Sequence, residues 1–232
     1  MSNIYELGQK LAHMLGWKRK LRISGFSNSR QYWEERYRAG GTSGSGSYGR
    51  LAKFKSEVLN EFVRSNSIQS VIEFGCGDGN QLLYMNYPTY VGIDVSADAL
   101  ARAGKKFRRD LSKKFLLIGS PEFDRSELRV GNDLSLSLDV IYHLVEDEIF
   151  HAYMTDLFRA SKKFVLVYAS NMDTQAESHV RHRKFTDWVE TNAPDWSLID
   201  MIKNRYPYDP EKPDETSWAD FYIFQRNQNV VG

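Results

Sequence analysis

The sequence predicts an α/β fold, a doubly wound, Rossmann-like sheet, because short apolar runs of strand length alternate with helical stretches along the chain. The first run, residues 71–74, leads directly into Gly75, Gly77 and Gly79. A β-branched run that ends in alternating glycines is typical of a buried parallel strand that turns sharply into a helix. The second run, residues 90–93, ends about 20 residues beyond the first glycine. These two strands and the turn between them form the centre of the predicted sheet.

Seven strands are assigned in chain order, at residues 71–74, 90–93, 115–118, 134–138, 164–168, 196–202 and 221–224. Helices are predicted at residues 31–38, at 51–64, in the stretch after Asn80, at 96–109, from Glu146 onward and at 185–190. The chain has 232 residues, of which 41% are hydrophobic, so it can bury one sizeable core. We therefore divide it into an N-terminal helical extension, residues 1–50, and one sheet domain, residues 51–232.

Composition narrows the possible partners and compartments. The formal net charge of +1 gives no reason for bulk attraction to nucleic acid or membrane, so we expect no nucleic-acid partner. The single cysteine, Cys76, excludes disulfides within the chain and a thiolate-rich metal site, and we predict no metal centre. No run of about 18 apolar residues is present. The expected compartment is a reducing cytoplasm, and the oligomeric state stays open.

The N-terminal extension has two features with alternative interpretations. Residues 4–22 form an amphipathic pattern with a basic end, which fits either contact with an anionic membrane surface or packing on the domain itself; we favour packing. Residues 39–49, Ala-Gly-Gly-Thr-Ser-Gly-Ser-Gly-Ser-Tyr-Gly, are either a flexible linker or a mobile lid. We call residues 39–49 the glycine/serine loop.

The glycine turn indicates what kind of ligand the domain binds. A dinucleotide fingerprint reads G-x-G-x-x-G, but here the third glycine comes one residue early, at Gly79. Glu73 lies inside the strand just before the turn, where it would repel a phosphate and attract a cation. Asp94 is where such folds place a carboxylate for ribose hydroxyls. These residues predict a ligand with a ribose and a positive charge; an ordinary tight turn with Asp94 as a helix cap is the alternative.

At these residues the sequence resembles the class I S-adenosylmethionine-dependent methyltransferases, whose E-x-G-x-G-x-G motif is matched at Glu73, Gly75, Gly77 and Gly79. The resemblance implies S-adenosylmethionine as cofactor and an antiparallel last strand. It also implies that an aromatic helix before the domain helps to close the cofactor pocket, which makes Trp33 and Tyr37 candidates, with plain packing as the alternative. The full set of implied cofactor-side residues is Glu73, Gly75, Cys76, Gly77, Gly79, Asp94, Val95, Ser120, Asp139, Trp33 and Tyr37.

The candidate catalytic residues lie beyond the carboxyl ends of the predicted strands. In open parallel sheets, ligands bind at this edge, at the point where strand order reverses. His143 follows the fourth strand, and because imidazole titrates near neutrality it is our candidate general base, with buried packing as the alternative. His179 and His182 are reserves. Tyr142, Arg181 and Arg183 are candidate acceptor-binding residues, since cations ahead of a helix favour an anion; a surface loop paired with local acids is the alternative.

The expected activity is methyl transfer to the oxygen of a small polar or anionic acceptor, such as a sugar or a sugar phosphate. The resemblance extends to a bacterial subgroup associated with glycan or small-molecule methylation. No Asn-Pro-Pro-Tyr or Asp-Pro-Pro-Tyr tetrapeptide follows the fourth strand, which argues against the amino-methylating enzymes that act on flipped bases. A catalytically inactive sensor or scaffold that binds the cofactor is the alternative function.

Overall fold

The computed structural model describes residues 26–120, 123, 128 and 131–227, apart from the side chains of residues 175–177. The predicted amphipathic segment at residues 4–22 lies outside these ranges. The strands are β1 Ser70–Phe74, β2 Thr89–Asp94, β3 Lys113–Leu117, β4 Asn132–Leu138, β5 Ser161–Ala169, β6 Thr174–Glu177, β7 Val180–His182, β8 Trp196–Ile202 and β9 Asp220–Arg226. The helices are α1 Ser29–Arg38, α2 Gly49–Ser65, α3 Ala97–Lys106, α4 Asp147–Arg159 and α5 Phe185–Asn192.

Seven strands form one sheet in the order β3-β2-β1-β4-β5-β9-β8. Strands β1 to β5 are parallel, whereas β9 runs antiparallel to both of its neighbours, β5 and β8. Strand order reverses between β1 and β4, which opens a crevice at their carboxyl ends. The predicted doubly wound, seven-stranded sheet with an antiparallel last strand is confirmed.

Helices cover both faces of the sheet, and each interface has its own apolar core. On one face, Leu59 and Val63 of α2 pack with Leu134 of β4. On the other, Met154 and Leu157 of α4 pack against the opposite side of the sheet. Strands buried on both faces need apolar residues on both, which explains the continuous apolar run of β5. In β4, by contrast, leucines alternate with the buried serines Ser135 and Ser137.

The structure differs from the sequence prediction after the glycine turn. Instead of a regular helix, the chain makes one 3₁₀ turn, Gln81–Tyr84, and Met85 already has extended backbone angles. The connection is too short for a helix because β2 begins at Thr89, and Pro88 disfavours helical backbone at the residue before it.

The segment between β5 and α5, residues 170–184, contains an unpredicted hairpin. Strands β6 and β7 pair antiparallel, with Thr174 opposite His182. Strand β7 is only three residues long, which is too short for an alternating pattern to stand out in the sequence. The hairpin carries His179 and Arg181 over the carboxyl edge of the sheet.

Among the described residues, no helix has both the length and the apolar character to cross a membrane.

Candidate functional site

A cavity of about 270 Å³ lies in the crevice between the carboxyl ends of β1 and β4. It is bounded by the glycine turn, helix α1, the glycine/serine loop and the segment after β4. Nine of the predicted cofactor-side residues line it: Trp33, Tyr37, Glu73, Gly75, Cys76, Gly77, Asp94, Val95 and Asp139. Folding therefore brings these residues from four separate segments of the chain to one cavity.

Asp94 ends β2 at the wall of the cavity. One carboxylate oxygen accepts a hydrogen bond from the backbone N–H of Gly77, and the other accepts one from the N–H of Ser96, each at 2.9 Å. Burial raises the pKa of Asp94, while these two backbone donors oppose that rise. Ser96, not Asp94, caps α3 through the N–H of Ala99, so Asp94 is available to a ligand in the cavity.

Glu73 is a buried carboxyl group in the middle of the sheet. Its side chain accepts a hydrogen bond of 2.6 Å from the hydroxyl of Tyr90. Burial raises the pKa of Glu73 to about 7, although that hydrogen bond and the charge of Lys55 both lower it. The group therefore changes charge near neutral pH and can respond to a cation bound in the cavity.

The glycines of the turn are needed for two different contacts. A β-carbon on Gly77, whose φ is +57°, would lie 2.5 Å from the Ser43 hydroxyl and 2.7 Å from that of Tyr37. A β-carbon on Gly79 would instead meet Ala103 of α3 at 3.1 Å. Gly79 does not line the cavity. It lets α3 pack against the turn, and its place beside the cofactor stays a prediction.

The glycine/serine loop is folded against the glycine turn. The Ser43 hydroxyl donates to Asp78 at 3.0 Å, and the Asn80 side chain donates to the carbonyl of Ser47 at 2.7 Å. Arg102 of α3 donates to the carbonyls of Gly41 and Tyr37, each at 2.6 Å. Residues 45–47 form a 3₁₀ turn. The loop thus covers one side of the cavity and is anchored by side chains of the sheet domain.

Lys55 is a cavity residue that the sequence analysis missed. Its side chain is 1% exposed, and its ammonium lies 2.5 Å from the Asp139 carboxylate. Asp139 has a left-handed φ of +59°, which is strained for a non-glycine residue, and it also accepts a hydrogen bond from the Tyr142 hydroxyl. A signal was available in the sequence, because Lys55 falls between Leu51 and Leu59 on the apolar face of its helix.

His143 lines the cavity from the 3₁₀ turn that follows β4. Its Nδ1 lies 3.3 Å from the backbone carbonyl of His179. A carbonyl oxygen only accepts, so Nδ1 carries the proton and Nε2 keeps its lone pair. Burial lowers the pKa of His143 to about 4, so the imidazole is neutral at pH 7 rather than titrating near it. The edge of the ring contacts Trp33, with centroids 5.0 Å apart.

The other two histidines do not line this cavity. The ring of His179 stacks on Tyr32 of α1 at a centroid distance of 4.5 Å. The Nδ1 of His182 lies 2.5 Å from the Ser170 hydroxyl, and burial lowers its pKa. These contacts join the β6–β7 hairpin to α1 and to the end of β5. His179 thus lies beside His143, and His182 lies beside Tyr142, but neither shares the access of His143 to the cavity.

The two arginines of the predicted anion site are paired with an acid from another element. Arg181 and Arg183 both contact the carboxylate of Asp147, at the start of α4, at 2.9 and 3.0 Å. Arg183 also donates to the carbonyls of Leu144 and Val145. The arginines therefore fasten the hairpin to α4. The alternative of ion pairing thus describes their contacts, although the acid, Asp147, belongs to a distant part of the sequence.

The described residues of the segment after β3 contribute apolar side chains to the cavity. Of its described residues, Ile118, Phe123 and Leu128 line the cavity, whereas Ser120 does not. Ile118 and Phe123 also pack against the apolar core beneath. The predicted role of Ser120 has no contact that supports it.

The fold and this site define the chain as a protein with the class I fold of S-adenosylmethionine-dependent methyltransferases. A solved structure of the N-methyltransferase NodS from Bradyrhizobium japonicum WM9, in complex with S-adenosyl-L-homocysteine, matches 87% of this chain and all of its own at a TM-score of 0.68 and 14% identity. The methyltransferase domain of bacterial CtHen1-C matches 75% of this chain and 97% of its own at a TM-score of 0.56 and 20% identity. No family model matches the sequence.

One curated relative is the small RNA 2'-O-methyltransferase of Arabidopsis thaliana, 28% identical over 193 residues. The match covers 78% of this chain and 20% of that protein, so the chain spans about a fifth of the relative's length. The expectation that nucleic acid is excluded was therefore wrong. That expectation was based on the net charge, which is a sum over the whole chain. A net charge does not show which acceptor can bind in the crevice at the carboxyl ends of β1 and β4.

Proposed function

We propose that the protein is an S-adenosylmethionine-dependent methyltransferase that acts on a sugar hydroxyl. The acids of the cavity suit the cofactor: Asp94 can accept hydrogen bonds from the ribose hydroxyls, and Glu73 lies where a cationic group would be attracted. The buried side-chain oxygen of Gln81, which also lines the cavity, has no hydrogen-bond partner among the described residues. A polar ligand in the cavity would supply that missing donor.

His143 is the observation that carries the choice of a hydroxyl acceptor. When bound, the cofactor supplies an activated methyl group, so the chain must align the acceptor and remove its proton. The Nε2 lone pair of the neutral imidazole can accept that proton. The bond from Nδ1–H to the His179 carbonyl holds the ring in the required tautomer and steadies the imidazolium that forms.

The ribose 2'-hydroxyl of RNA is the first acceptor to test, because the curated relative is a small RNA 2'-O-methyltransferase. Transfer of labelled methyl groups should be measured with an RNA oligonucleotide and with its 2'-deoxy counterpart, beside a panel of sugars, sugar phosphates and amines. Methylation of hydroxyl acceptors supports the proposal, and loss of transfer on the 2'-deoxy strand assigns the ribose. Transfer to amines alone would contradict it. Cofactor binding without transfer across the panel would favour the sensor or scaffold.

Binding of S-adenosylhomocysteine is expected to strengthen about tenfold as the pH rises from 6 to 8. The pKa of Glu73 is about 7 in the unliganded protein. Raising the pH ionises the carboxyl group, which then attracts the ligand's ammonium, and below pH 7 binding must first release its proton. Titration calorimetry in two buffers of different ionisation enthalpy measures both the affinity and the proton release.

Two variants control this pH experiment. Glu73→Gln should remove the pH dependence between 6 and 8, whereas Glu61→Gln, at an exposed position of α2, should keep it. Wild-type affinity that is constant, or that weakens as the pH rises, would show that Glu73 does not face the ligand's cation.

We also propose that the glycine/serine loop is a lid over the cofactor. With S-adenosylhomocysteine at about 100 times its Kd, cleavage of residues 39–49 by a protease of broad specificity should slow by up to about a hundredfold, because the ligand stabilises the closed loop. Arg102→Ala removes the hydrogen bond to the Gly41 carbonyl of the closed loop and should speed cleavage without ligand. Cleavage within residues 203–219, the connection between β8 and β9, is the internal control. Equal rates of cleavage with and without ligand would contradict the lid proposal and would mean that the loop only connects α1 and α2.

A further inference from the structure

The ammonium of Lys55 is buried with fewer hydrogen bonds than it can make. An ammonium has three N–H donors. Among the described residues, its one hydrogen-bond acceptor is the Asp139 carboxylate, at 2.5 Å, and the ring of Tyr168 lies 5.2 Å away on another side. Burying a charge is costly unless its donors are satisfied, so the remaining donors need an acceptor. Lys55 lines the cavity, and a ligand there is within the reach of its side chain.

Lys55 lines the cavity together with two acids, Asp139 and Glu73. Its ammonium contacts the carboxylate of Asp139, and its charge lowers the pKa of Glu73. Two acids alone would attract a cation and repel an anion, whereas an ammonium beside them also creates a place for a carboxylate. The cavity wall is thus complementary to a group that carries a positive charge and a negative charge close together.

We propose that Lys55 binds the α-carboxylate of the cofactor's methionine part, and that Glu73 and Asp139 bind its α-ammonium. The inference rests on the proposed function and names a residue that decides which cofactor is accepted. Asp94 selects the ribose, whereas Lys55 selects for the carboxylate. A decarboxylated cofactor, the donor for aminopropyl transfer, leaves the buried donors of Lys55 unsatisfied and therefore binds more weakly.

The test compares two ligands by titration calorimetry: S-adenosylhomocysteine and its analogue that lacks the carboxylate, S-adenosyl-3-thiopropylamine. The wild type should prefer S-adenosylhomocysteine by at least about tenfold, as expected for a charge-assisted hydrogen bond. Lys55→Gln should lower affinity for S-adenosylhomocysteine by a similar factor. Its affinity for the analogue should stay the same or rise, since the wall becomes more negative. The preference therefore collapses in this variant.

Lys53→Gln is the matched control, because Lys53 is exposed on the same helix, and it should keep the wild-type preference. Lys55→Arg retains the charge and should keep part of the preference, and it serves as the second variant if Lys55→Gln does not fold, as judged by thermal melting. Equal losses of affinity for both ligands in Lys55→Gln would mean that Lys55 only holds Asp139 in place, and would overturn the inference.

The wild type separates this inference from the proposed function. Binding of S-adenosylhomocysteine without preference over the analogue would overturn the role of Lys55 and leave the proposed function standing. If the wild type bound neither ligand, both the proposed function and the inference would be wrong.

Discussion

Replacing His143 with alanine is expected to lower kcat for methyl transfer by roughly a hundredfold to ten-thousandfold, the usual contribution of a general base. Affinity for S-adenosylhomocysteine should stay within about twofold, because the imidazole removes a proton in the transition state rather than holding the cofactor. Steady-state kinetics on the acceptor identified in the panel, with calorimetry of the same variant, separates the two effects. His143→Gln retains a polar group of similar reach without basicity and should be as slow as His143→Ala.

The pH profile of the wild type distinguishes a base from a packing residue. Protonation would fill the Nε2 lone pair, so activity should fall as the pH drops through the pKa of His143, which is about 4. With the cofactor saturating, kcat should therefore show no loss near pH 6.5, where an unperturbed histidine titrates. His151→Ala, at an exposed histidine of α4, is the control and should retain wild-type kcat. A normal kcat in the His143→Ala variant would show that His143 is not the general base and only packs against Trp33.

Replacing Asp94 with asparagine is expected to weaken S-adenosylhomocysteine binding by about 1.5 to 3 kcal/mol, the loss of charge-assisted hydrogen bonds to the ribose. The carboxylate already accepts from two backbone N–H groups. It can still accept from ligand hydroxyls, because two oxygens provide about four acceptor positions. The amide retains only one of these oxygens, so the variant loses both charge and acceptor capacity.

Asp98→Asn, in the first turn of α3, is the matched control for Asp94→Asn because its side chain is exposed. It should bind S-adenosylhomocysteine as the wild type does. Thermal melting of both variants checks that the glycine turn still folds. An unchanged Kd in a folded Asp94→Asn variant would contradict the assignment of Asp94 to the ribose.

The sheet and the cofactor side of the site were predictable because their signals are local in the sequence. A continuous apolar run shows a strand buried on both faces, and the glycines after β1 show a turn that side chains would obstruct. Asp94 could be assigned because the short connection between β1 and β2 determines where the second strand ends. One local failure was the helix after Asn80, where Pro88 and the start of β2 at Thr89 shorten the connection.

The acceptor side was not predictable, because its properties come from contacts between distant parts of the chain. Asp147 pairs with Arg181 and Arg183, which lie more than 30 positions later, so a cluster of cations in the sequence is a set of ion pairs in the fold. The pKa of His143 depends on desolvation by elements that meet only after folding.

The sequence by itself determined the sheet, the glycine turn and the position of Asp94, since each follows from neighbouring residues and backbone geometry. Only the tertiary structure decided that Lys55 meets Asp139, 84 positions away, and that the glycine/serine loop lies against the glycine turn. Burial and pairing of charges are set by the whole fold, and both change the chemistry of a side chain without changing its place in the sequence.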